Sequence, residues 1–103
     1  AADIFTEKER CYCLSRENSY IHFAGRFAAK EALLKALGKG MSGQGIDHIF
    51  QEIEVINHSS GKPMLSVWGW AAKISRKKKI NQFTVSISHS SDYAIATVIL
   101  VGN

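Results

Sequence analysis

The stretch from about Ile21 to Leu37 constrains the fold most. Phe23, Phe27, Leu34 and Leu37 recur at spacings of four, seven and three, with Ala24, Ala28 and Ala32 between them. That period puts the large apolar side chains near one face and predicts a long helix. Gly38 follows Lys35 where a C-terminal cap belongs. A chain of 103 residues makes one domain with one modest core, so the rest of the chain must cover this helix. Residues 38 to 45 then read as a glycine-rich loop. No strand precedes it, so it matches neither a P-loop nor a dinucleotide fingerprint.

On the N-terminal side, Thr6-Glu7-Lys8-Glu9 has the spacing of a capping box and predicts a short helix to about Leu14, with a turn from Ser15 to Ser19. The second half alternates with period two. Ile53 and Val55 alternate with Glu52 and Glu54, which predicts a strand over 52–56. A turn over 57–62 leads to a returning strand over 63–67, where Pro63 is allowed because only the strand interior needs its N–H. Residues 68–79 predict a helix with Trp68, Ala71, Ala72 and Ile74 inward. Phe83, Val85 and Ile87 alternate with Thr84, Ser86 and Ser88, and Tyr93 to Val101 is a fourth, apolar strand. His89 to Asp92 connects the last two. Helices first and hairpins later predict a single α+β domain over residues 1–103, an antiparallel sheet packed against a long central helix and shorter helices.

Composition narrows the partners. Hydrophobic residues make up 46% and charged residues 21%, an ordinary globular composition that does not suggest disorder. The net charge of +4 favours anionic partners without choosing among them. Cys11 and Cys13 are one residue apart, too close for an unstrained disulfide, and the four histidines lack finger spacing. A reducing, cytoplasmic setting is expected. No apolar run approaches the roughly 20 residues of a membrane helix, and the first five residues do not read as a signal peptide.

Two segments could carry chemistry. Arg26, Lys30, Glu31 and Lys35 share the long helix, with Glu31 and Lys35 at i,i+4. A solvated face with one favourable pair explains this. The same spacing also suits a Mg²⁺ held through Glu31 while Lys30 and Lys35 face the phosphates that share it. Ser86 to Tyr93 crowds hydroxyls around His89, as a polar hairpin tip does or as a proton carrier requires. A Ser–His–Asp hydrolase fits poorly, because one turn does not give that geometry and Gly-x-Ser-x-Gly does not occur. Gly61-Lys62-Pro63 is a turn with a cation at its tip. Arg76 to Lys79 suits a helix C-terminus.

Together these segments resemble the holo-acyl-carrier-protein synthase type of the 4'-phosphopantetheinyl transferases. Residues 23–38, with Lys30-Glu31 and then Lys35, resemble that family's central helix motif. Gly61-Lys62-Pro63 resembles its Gly-Lys-Pro turn, with Ile53-Glu54-Val55 as the strand before. Ser86-Ile87-Ser88-His89, then Tyr93-Ala94-Ile95-Ala96-Thr97-Val98, resembles its closing segment, and residues 4–9 the start of its short helix. The resemblance implies transfer of 4'-phosphopantetheine from coenzyme A to a serine of apo acyl carrier protein, releasing adenosine 3',5'-bisphosphate, in support of fatty acid biosynthesis. It implies Mg²⁺ with Glu31 as ligand, and Lys35 on phosphate. Coenzyme A would meet Arg26, Lys30, Lys62, Pro63, Ser88 and His89. It also implies a homotrimer with sites between subunits.

One departure stands out. The family opens with a strand carrying Gly-x-Asp, followed by a basic helix that docks the carrier, and Asp3 has no such context. This chain is therefore expected to lack that strand and helix, to bind Mg²⁺ weakly, and to be weakly active or inactive by itself. The rival readings are a catalytically impaired fragment and a non-enzymatic basic binding module. Nucleic acid is not the expected partner, since Phe83 alternates toward the core and the basic cluster lies at a helix end.

Overall fold

The computed structural model describes residues 4–38 and 46–102; Asp3 and most of the glycine-rich segment lie outside them. The chain runs α1 (Glu7–Leu14), α2 (Ser19–Ala36), α3 (Ile46–Phe50), β1 (Ile53–Asn57), β2 (Pro63–Val67), α4 (Gly69–Lys77), β3 (Ile80–His89) and β4 (Ala94–Gly102). This is the expected α+β order. The short α3 was not foreseen, and the strands pair as two separate antiparallel hairpins, β1 with β2 and β3 with β4.

The capping box forms as its spacing predicts. Glu9 N–H donates to Thr6 Oγ1 at 3.3 Å, and Thr6 N–H donates to Glu9 Oε1 at 2.9 Å. Helix α2 is capped at its C-terminus by Leu37, whose N–H donates to Leu33 O, and Gly38 follows at φ 91°, a left-handed conformation that glycine adopts without penalty.

The buried stripe of α2 is rotated from the expected one. Ile21, Gly25, Ala29 and Leu33 are buried, along with Leu34 and Leu37, while Phe23 and Phe27 are only partly so. The reason is close approach. A Cβ on Gly25 would stand 2.9 Å from Ile87 Cγ2, so the small residues mark where the β3–β4 hairpin crosses the helix. Large side chains alone do not reveal such a contact.

The hairpins keep their alternation. Val55 pairs with Leu65 in one, and Val85 with Val98 and Ile87 with Ala96 in the other. Ala29, Val55 and Val85 form one buried cluster, and Leu33, Leu34, Leu37, Phe50, Ile53 and Ala71 another. The opposite face of β4 leaves Ile95, Ile99 and Val101 exposed.

Trp68 departs from its expected inward place and is exposed, and Trp70 packs on the core instead; Ala71 and Ile74 lie inward as expected. The Glu52 carboxylate accepts from Trp70 N–H at 2.6 Å and caps α4 from outside the helix. Gly69, at φ 62°, lies against that carboxylate where a Cβ would collide.

Candidate active site

A cleft of about 140 Å³ opens where α1, α2, the β1–β2 turn and the end of β3 converge, with Tyr12, His22, Gly25, Arg26, Asn57, Gly61, Pro63, Ile87 and His89 around it. No carboxylate among the described residues borders it. Of the residues expected to hold substrate, Arg26, Pro63 and His89 meet here.

Arg26 is the centre of the cleft. It is a charged guanidinium only 4% exposed, so its partners must replace water. Its guanidinium lies over the Tyr12 ring, 4.0 Å from the centroid, and donates from Nη2 to Asn57 Oδ1. Asn57 in turn donates to Gly61 O at 3.1 Å, which ties the helix to the turn. The Arg26 Nε–H has no acceptor among the described residues. A buried donor left open is costly.

The remaining residues lie elsewhere. Lys62 is exposed on the turn and borders a separate groove of about 390 Å³ between β2 and β3. Ser88 is exposed, and strand alternation turns it away from Ile87 and His89. Glu31 and Lys35 form the expected pair, 3.6 Å apart and partly open to solvent. Glu31 is five residues beyond Arg26, about 140° round the helix axis, and does not border the cleft.

Lys30 must be corrected. It was expected to face phosphate, yet it is fully buried. Its Nζ donates to Glu9 Oε1 at 2.6 Å, Ile4 O at 2.7 Å and Phe50 O at 2.9 Å. Three acceptors use three N–H bonds, and none is left for substrate. Burial pushes its pKa below the usual lysine range, and the Glu9 carboxylate offsets part of that shift.

Tyr12, Asn57 and His22 were not singled out from the sequence. Asn57 ends a strand before a glycine turn, which was its only signal; Tyr12 and His22 gave none.

Could the residues hold Mg²⁺? The described residues include no group of three or more His, Cys, Asp or Glu placed for a metal. A partly exposed carboxylate such as Glu31 still suits Mg²⁺, which commonly takes one or two carboxylates and fills its shell with substrate phosphate and water.

The profile of the 4'-phosphopantetheinyl transferase superfamily matches residues 1–98. The chain belongs to this superfamily. A curated transferase relative, the holo-[acyl-carrier-protein] synthase of Syntrophotalea carbinolica, is 45% identical over 100 residues, covering 97% of this chain and 76% of the relative. The crystal structure of the Neisseria meningitidis holo-[acyl-carrier-protein] synthase superposes with a TM-score of 0.80 at 30% identity, over 98% of this chain and 78% of that one. The Helicobacter pylori synthase, solved in complex with coenzyme A, superposes at 0.77 and 27% identity, over 97% and 79%. The transferase fold is therefore common to this chain and these synthases.

Proposed function

We propose that the chain is a holo-acyl-carrier-protein synthase, transferring 4'-phosphopantetheine from coenzyme A to a serine of apo acyl carrier protein. The observation that carries this reading is the buried Arg26 guanidinium lining a cleft that no carboxylate among the described residues borders. It is an anion site within a superfamily whose Helicobacter pylori member was solved with coenzyme A.

In this reading Arg26 binds an anionic group of the nucleotide end, and Pro63 and His89 flank it. The carrier's serine oxygen attacks the β-phosphorus, the bond from that phosphorus to the bridging oxygen breaks, and adenosine 3',5'-bisphosphate departs with that oxygen while the serine proton passes to solvent. Such transfer depends on positioning and charge neutralisation more than on a protein nucleophile. Glu31 would hold Mg²⁺, which supplies charge neutralisation at the pyrophosphate. Lys35, beside it, adds a positive charge for phosphate. Lys62 and Ser88 would contact coenzyme A from outside this cleft.

The separation of Glu31 and Lys35 from Arg26 and His89 favours a site completed by a second copy, and a homotrimer provides it. The exposed Ile95, Ile99 and Val101 of β4 fit such an interface. No helix among the described residues is long and apolar enough to cross a membrane. A cytoplasmic role in fatty acid biosynthesis is the setting that fits this reading.

The test is mass spectrometry of apo acyl carrier protein incubated with the chain, coenzyme A and Mg²⁺. A gain of one phosphopantetheine, lost in Glu31→Ala, supports the reading. No gain under any Mg²⁺ concentration, with no binding of coenzyme A, sinks it.

A further inference from the structure

His22 has no part in the reaction as described, yet it borders the same cleft. Its ring stands edge-on to that of His89, with centroids 4.9 Å apart and planes at 74°. On its other side it meets Tyr12 at 5.9 Å and 78°. Three rings thus run from α1 through α2 to the last residue of β3. His89 is exposed and ends its strand. An exposed side chain there samples several rotamers unless something packs on it, and edge-to-face packing at this separation is favourable.

We propose that His22 is a positioning residue whose ring holds the His89 imidazole over the cleft, where His89 meets the nucleotide end of coenzyme A. The proposal rests on the reading that this cleft takes coenzyme A.

The charge state of His22 suits the role. Burial pushes its pKa below 6.5, and the positive groups facing it act the same way: His89 when protonated, from β3, then Arg16 beyond α1 and Arg26 on α2. Tyr12, from α1, faces it on the other side. At neutral pH His22 is therefore an uncharged aromatic ring. Phenylalanine keeps the packing surface and removes the ring nitrogens.

The experiment compares wild type with His22→Ala, His22→Phe and Arg26→Ala. It measures binding of adenosine 3',5'-bisphosphate by calorimetry, KM for coenzyme A and for the carrier, kcat, and thermal melting. His22→Ala should weaken binding of the bisphosphate and raise KM for coenzyme A roughly two- to tenfold. The carrier's KM and kcat should not move, and His22→Phe should restore wild-type values. Two results would overturn the proposal while leaving the cleft in place: His22→Ala binding like wild type when Arg26→Ala does not, or His22→Phe as impaired as His22→Ala. The second would mean that a ring nitrogen bonds the ligand directly. If Arg26→Ala and His22→Ala both bind normally, the cleft is not the coenzyme site and the proposal falls with it.

Discussion

Glu9 Oε1 and Lys30 Nζ form an ion pair at 2.6 Å with neither side chain reaching solvent. Glu9 also accepts from Thr6 N–H through Oε1 and from Val55 N–H through Oε2, at 2.9 and 2.7 Å. One carboxylate therefore joins α1, α2 and β1. Removing one member of such a pair leaves the other charged and buried, at a cost of about 3–5 kcal/mol. Lys30→Met should lose that much in urea unfolding. The Glu9→Gln/Lys30→Met double variant should lose clearly less than the sum of the singles. Additive losses would show the two groups to be uncoupled.

Glu31 and Lys35 should behave in the opposite way. Their pair is partly solvated, and such pairs contribute only a few tenths of a kcal/mol. Glu31→Gln should unfold at nearly the wild-type urea concentration while its transferase rate falls by orders of magnitude. Added Mg²⁺ should recover part of the rate. A matching loss of stability would assign Glu31 to the fold rather than the reaction.

Arg26→Lys keeps a charge but loses the planar fork that reaches Asn57 and the cleft together. Hydrogen bonds to charged groups are worth about 1.5–3 kcal/mol, so coenzyme A should bind roughly ten- to a hundredfold more weakly. Calorimetry at fixed ionic strength reads this directly.

The two cysteines should separate in reactivity. Cys11 is exposed and Cys13 buried, and burial raises the Cys13 pKa above 9.0. A thiol reagent at pH 8 should add once to the folded chain and twice after denaturation, by mass. Because the folded value is the higher one, the unfolded chain ionises first. The stability from the neutral thiol is complete below pH 9.0 and is lost as pH rises through the folded value. Cys13→Ala should therefore show a shallower alkaline loss than wild type, whatever its starting stability.

Gly25→Ala places a methyl against Ile87 Cγ2. Overpacking of this kind costs about 1–3 kcal/mol. Both residues border the cleft, so coenzyme A affinity should fall too, and Ile87→Ala should relieve both effects.

What the sequence made legible was local. The Thr6–Glu9 box, the Pro63 strand start and the alternation of β3 each depend on a few neighbouring residues. What it concealed was set by distant partners. Glu9 read as a cap reaching back to its own helix, with no sign that Lys30 would meet it. Glu52 read as a strand residue, yet its carboxylate caps α4. At the cleft, Arg26, Pro63 and His89 were found through a motif. Asn57, Tyr12 and His22 depend on how a turn and two helices meet, which no spacing records.

The apolar outer face of β4 has a thermodynamic consequence. If copies cover Ile95, Ile99 and Val101, unfolding converts one assembly into three separate chains, and mass action enters the balance. The melting temperature would then climb with protein concentration. Dilution alone would favour the unfolded state, and the amount of the chain in the cell would itself help set how much of it stays folded.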